Sequence, residues 1–129
     1  VTLYLDTSAA AKLLVDETES VALAAYLDGV RESDDLLSSA LLETELRRLA
    51  IRLDLAQSDV TDLLARVDLV DPPRSLFHQA GLLPGAQLRS LDALHLATAL
   101  SVGADRLIAY DARLLDAARY LGLVAFSPR

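Results

Sequence analysis

The stretch Thr2-Leu3-Tyr4-Leu5-Asp6-Thr7-Ser8 decides how the rest of the chain is read. A short apolar run ends abruptly in an aspartate, and Thr7-Ser8 can cap the Ala-rich segment that follows, Ser8 or Ala9 to about Val15. The expectation is a strand that passes straight into a helix. The same arrangement returns near the other end, where Arg106 to Tyr110 reads as a strand and Asp111 to Leu121 as a helix stopped by Gly122.

Working inward, Glu17 to about Gly29 reads as a helix with Val21, Leu23, Ala24 and Leu27 turned inside, followed by a short strand over Asp35 to Ser38. From Ala40 to Leu55 the leucines 42, 46, 49 and 53 recur at helical spacing. Ser58 can cap a helix over Asp59 to Val67, Leu69-Val70 is a third short strand, and Ser75 to Leu83 is a weaker helix. Ser90 caps Leu91 to Val102, a helix apolar nearly all round, therefore buried, and stopped by Gly103. Val124 to Phe126 closes as a strand. Strands separated by helices predict an α/β fold with a central parallel sheet flanked by helices.

The chain has 129 residues, 53% of them hydrophobic and 24% charged, with 5 Gly and 4 Pro. That composition fits one globular domain over 1–129, large enough to bury roughly two-thirds of its unfolded surface. The absence of cysteine excludes disulfide scaffolds, thiolate zinc sites, iron–sulfur clusters and cysteine nucleophiles. The nearly uncharged stretch Ala93 to Ala104 is too short for a membrane span, which takes roughly 18 apolar residues, so no membrane association is expected. The first residues show no basic region leading into an apolar one, and a cytoplasmic location is the default expectation. A net charge of −7 opposes binding to a polyanion unless part of it is gathered in one place and neutralised there, as by a divalent cation.

Most of the 19 acidic residues have a surface explanation. Glu43 precedes Arg47 by one helical turn, and Asp116 lies between Arg113 and Arg119. Asp6 and Asp111 differ, because each stands where a strand hands over to a helix, the edge at which parallel sheets bind ligands. Helix capping alone would account for either one. If their strands are neighbours, two carboxylates meet at one edge, which costs energy unless they share a proton or hold a cation. Asp92 and His95 are the polar exceptions on the apolar helix; His95 reads as a hydrogen-bonded core histidine able to support a carboxylate. Glu45 has Leu41, Leu42 and Leu49 as helical neighbours, and either reaches out to Arg48 or points at something inside.

Four segments together resemble the PIN-domain ribonucleases, and within them the VapC-type toxins of type II toxin–antitoxin pairs: Leu5-Asp6-Thr7-Ser8-Ala9, Ser39 through Thr44-Glu45-Leu46-Arg47-Arg48, Leu91-Asp92-Ala93-Leu94-His95-Leu96-Ala97, and Tyr110-Asp111-Ala112-Arg113-Leu114. The resemblance runs the whole chain. It implies a three-layer PIN-like fold in which Asp6, Glu45, Asp92 and Asp111 form an acidic pocket that holds Mg²⁺ or Mn²⁺. Ser8 matches the hydroxyl that steadies the first aspartate or the metal-bound water, and His95 supports from behind. Where family members often carry Thr shortly before the last acid, this chain has Ala109 and Tyr110.

The resemblance also implies metal-dependent endonucleolytic cleavage of RNA, a homodimer, and a cognate VapB-type antitoxin whose C-terminal segment covers the pocket, with Leu13, Leu14, Leu46 and Leu49 as candidate contacts. Hard oxygen ligands suit such a cation, and setting aside four acids leaves −7 + 4 = −3 elsewhere. Basic contacts to RNA would come from arginines such as Arg47, Arg48, Arg89 and Arg113, since Lys12 is the only lysine. Alternatives are a catalytically idle module of the same fold and a Mg-binding phosphoacceptor domain, although no lysine follows residue 12 to serve the latter.

Overall fold

The computed structural model describes residues 1–129. Its five strands are β1 (Thr2–Leu5), β2 (Asp35–Ser39), β3 (Asp68–Val70), β4 (Arg106–Ile108) and β5 (Ala125–Phe126). The helices are α1 (Thr7–Ala10, continued by a 3₁₀ turn over Ala11–Leu13), α2 (Ser20–Asp28), α3 (Leu41–Leu53), α4 (Gln57–Leu64), α5 (Arg74–Gly81), α6 (Ser90–Ser101) and α7 (Ala112–Tyr120). The strands form one sheet in the order β3-β2-β1-β4-β5, every pair parallel. No helix is long and apolar enough to cross a membrane.

Strand alternation sorts the core into two sides. Leu3, Leu5 and Ile108 face a cluster with Ala9, Ala10, Leu23, Leu27, Leu42, Leu46 and Val60, so α1 to α4 cover one side of the sheet. Tyr4 and Leu107 face the other with Leu96, Ala99, Leu114 and Ala118, the layer made by α6 and α7. Helix α5 packs Leu76 and Ala80 against Ala93 and Ala97 of α6. The arrangement is three layered, as expected.

The chain leaves β1 outward to β2 and β3, then returns across the sheet to lay β4 on the free side of β1. Strand order therefore reverses between β1 and β4, where Leu5 pairs with Ile108. A reversal of this kind opens a crevice at the carboxyl edge of the sheet. Both helices that leave this edge are capped by the aspartates singled out above: Asp6 accepts from the Ser8 N–H, and Asp111 from those of Arg113 and Leu114.

Several expectations are corrected in detail. The inward faces of two helices sit differently: Val21 is 77% exposed and Leu53 50%, while Ala50 takes the buried place at the end of α3. Ala is small enough to let α3 sit close, and the helix then ends at Asp54, which adopts a left-handed φ of 54°. Neither Ser58 nor Ser90 caps its helix; Ala56 and Arg89 occupy those positions without a side-chain bond. Gly103 and Gly122 do stop α6 and α7, with φ of 65° and 84°, a conformation open to a residue without Cβ.

Candidate active site

The crevice is built from strand ends and helix starts. Asp6 follows β1, and its own N–H donates to the Ile108 carbonyl at 3.0 Å, continuing the β1–β4 ladder by one more bond. The residue is only 3% exposed. Oδ2 accepts both the N–H of Ser8 at 3.0 Å and the Ser8 hydroxyl at 2.6 Å. The Ser8 oxygen in turn accepts the backbone N–H of Tyr110 at 2.9 Å, so one serine ties the two strand ends together and fixes the aspartate between them. Asp111 accepts two N–H groups on Oδ1, at 2.9 and 3.1 Å. In both aspartates the cap occupies one oxygen, leaving the other for the crevice.

The Tyr110 hydroxyl turns away to the Pro128 carbonyl at 2.6 Å. Ala109 and Tyr110 therefore bring no side-chain hydroxyl to the crevice, and the Tyr110 N–H bonds the Ser8 oxygen.

Asp92 enters from the first turn of α6, where the helix dipole favours a carboxylate. Unlike Asp6 and Asp111 it is held by no hydrogen bond. Burial raises its carboxyl above the usual range, the charges of Asp6 and Asp111 raise it further, and Glu45 adds to the repulsion that His95 partly offsets. Asp6 and Asp111 follow neighbouring strands and are joined through Ser8, and the charges of both and of Glu45 bear on Asp92. No three of them, with or without His95, stand in a ready coordination cluster. The donor set nonetheless fits a hard divalent cation: all oxygens, gathered at one edge, with a charge repulsion that such an ion relieves.

Glu45 points inward and not to Arg48. Its Oε1 lies 2.6 Å from Nε2 of His95, which is 1% exposed in the middle of α6. The same nitrogen is 3.1 Å from the Thr7 hydroxyl, and Nδ1 is 2.7 Å from the hydroxyl of Tyr4. Burial lowers the imidazole pKa, but the Glu45 hydrogen bond and the charges of Asp6, Glu45 and Asp92 outweigh it, and the net shift is upward. Sequence reasoning missed Tyr4 and Thr7. A hydroxyl-bearing aromatic inside an apolar strand was the available signal, since a buried Tyr O–H needs a partner.

The arginines divide. Arg47 is spent on structure: it donates to Glu43 at 2.8 Å and to Gln57 and Thr61, tying α3 to α4. Lys12 pairs with Glu17 and Glu19 and lies 4.8 Å from the centre of the Tyr110 ring. Arg48, Arg89 and Arg113 are exposed, and each lies within three residues of one of the acids, namely Glu45, Asp92 and Asp111. Arg119 bonds the Ala125 carbonyl and not Asp116.

Comparison with known proteins agrees with this architecture. Residues 3–120 match the PIN domain family model. Two curated relatives, ribonucleases VapC46 and VapC35 of Mycobacterium tuberculosis, are each 42% identical, covering 98% of this chain and 97% and 96% of theirs. Among solved structures, VapBC2 of Rickettsia felis bound to a promoter DNA fragment superposes with a TM-score of 0.79 at 15% identity over both whole chains. The sarcin–ricin-loop-cleaving toxin VapC20 of M. tuberculosis gives 0.76 at 18% identity, covering 95% of this chain and 96% of that one. At these identities the two structures show the shared fold.

Proposed function

The chain belongs to the PIN domain family, and we propose that it is an endoribonuclease that hydrolyses RNA phosphodiester bonds at the acidic crevice and acts as the toxin of a VapBC-type pair. What supports this reading most is that Asp6 and Asp111 follow neighbouring strands and are joined through Ser8, while their charges and that of Glu45 bear on Asp92. Those four would hold Mg²⁺ or Mn²⁺, with Glu45 contributing directly or through water. When bound, such a cation supplies Lewis-acid charge and lowers the pKa of a water that can attack phosphorus. The chain's own residues set the stage: Ser8 and the two helix starts orient Asp6 and Asp111, and His95 holds one oxygen of Glu45.

Exposed Arg48, Arg89 and Arg113, each within three residues of one of the acids, are the basic groups offered to the RNA backbone against the adverse overall charge of −7. The antitoxin surface is read as beginning at Leu13 and Leu14, which line a cavity of about 290 Å³ with Leu63 and Arg66. Leu46 is wholly buried and drops out as a contact; Leu49 stays half-buried beside it. An arginine of the partner would pair with the acids and compete with metal. Exposed Val21, Ile51, Phe77 and Leu82 leave apolar surface for a homodimer, which light scattering at micromolar concentration tests.

The deciding experiment incubates the purified chain with labelled RNA and Mn²⁺ or Mg²⁺. Cleavage that stops on chelation and is lost in Asp6→Asn supports the reading. A folded protein that binds the ion and leaves RNA intact is an idle module of the same fold. Growth arrest on expression, relieved by the neighbouring gene, separates toxin from nuclease alone.

A further inference from the structure

Behind Glu45 stands a buried residue with no surface role. Tyr4 is 0% exposed, on the sheet face covered by α6, and a phenylalanine would fill the same space. Its oxygen accepts the N–H of Ser39 at 3.0 Å and lies 2.7 Å from Nδ1 of His95. On the other side of the imidazole, Nε2 is 2.6 Å from Glu45 Oε1. An ionised carboxylate can only accept, so Nε2 carries the hydrogen. In a neutral ring Nδ1 is then bare, and its partner must donate. The Tyr4 hydroxyl is that partner, and the Ser39 N–H already on its oxygen favours directing the hydroxyl hydrogen toward the ring.

The opposite tautomer would bring two N–H groups onto the Tyr4 oxygen and set a bare Nε2 against a carboxylate. The Thr7 hydroxyl, 3.1 Å from Nε2, accepts no N–H that would set its direction, and so serves either form.

We propose that Tyr4 is a positioning residue: by donating to Nδ1 it backs the Nε2–H form of His95 that the Glu45 carboxylate requires, and so fixes the ring that holds Glu45 in the acidic crevice. This rests on the ribonuclease reading, which gives Glu45 its task. The hydrogen bonds run one way, from Ser39 to Tyr4 to His95 to Glu45. Outer partners of this kind are typically worth about 10–100-fold in metal affinity or activity.

The test uses the full chain labelled with ¹⁵N, at a pH high enough to keep His95 neutral. Ring-nitrogen shifts of the wild type are expected to show Nε2 protonated and Nδ1 bare. A wild type in the Nδ1–H form overturns the proposal, whether or not any variant folds. Tyr4→Phe should leave Nδ1 without its donor, moving the Nδ1 shift toward that of a bare ring nitrogen with no hydrogen bond, and lower kcat for RNA cleavage at saturating Mn²⁺ by about 10-fold or more, with KM little changed. Tyr26→Phe removes a hydroxyl that bonds Arg106 at the opposite edge of the sheet and should move neither readout. If Tyr4→Phe loses thermal stability yet keeps both the ring signature and kcat, the tyrosine is merely structural and the proposal falls. A wild type that cuts no RNA overturns the ribonuclease reading itself, and the ring shifts distinguish that failure from this one.

Discussion

At Asp6, capping a helix and serving a crevice are compatible because a carboxylate has two oxygens. Oδ2 takes the N–H and hydroxyl of Ser8, and Asp111 likewise gives Oδ1 alone to its helix. Asp92 has no such support, and its carboxyl is held above the ordinary value of 3.8 first by burial and then by Asp6 and Asp111. A raised pKa means that native Asp92 binds a proton the unfolded chain has already lost. The metal-free protein therefore loses stability as pH climbs from the ordinary aspartate range through the raised native value, and the whole cost is present above it. Asp92→Asn should accordingly raise the metal-free denaturation midpoint at neutral pH and make no difference below the ordinary range. The same variant should reduce cleavage by more than the roughly 10–100-fold typical of losing an outer partner. Denaturant titrations at two pH values check the first part, and rates with Mn²⁺ the second.

Helix α3 shows how an element is oriented by what it must bury. Leu42 and Leu46 are fully buried and Ala50 nearly so, whereas Leu53 is 50% exposed. Leu46→Ala should cost about 2–5 kcal/mol, and Leu53→Ala about 0.5 kcal/mol or less, as read by urea unfolding. This rotation places Glu43 outside, paired with Arg47 at 2.8 Å, and Glu45 inside on His95. Glu43→Gln should cost about 0.5 kcal/mol or less and leave cleavage unchanged. Glu45→Gln should lower cleavage steeply. Equal loss of rate in the two variants would show that α3 presents a different face to the crevice.

For the molecule as a whole, the sheet sets Asp6 and Asp111 after neighbouring strands, and on the proposed reading a cation relieves the repulsion there. A cation that binds the native state alone stabilises it by mass action, about 2.7 kcal/mol at a hundredfold excess over Kd. Thermal unfolding should therefore shift upward with Mn²⁺ in the wild type and hardly at all in Asp6→Asn.

The run Thr2 to Leu5 followed by Asp6, and its counterpart before Asp111, were legible in the sequence because strand and helix periods and their junctions are local properties. Glu45 was half legible: its leucine neighbours left it either reaching out to Arg48 or pointing inside, and contact with His95 decides between the two. Local patterning could not show that β4 returns to lie beside β1, which is what brings Asp6 and Asp111 to one crevice. Nor could it turn α3 by Ala50 and not by Leu53, or join Tyr4 to His95 across 91 residues. Those outcomes depend on which surfaces meet when the layers close, and periodicity within one element carries no information about its partner.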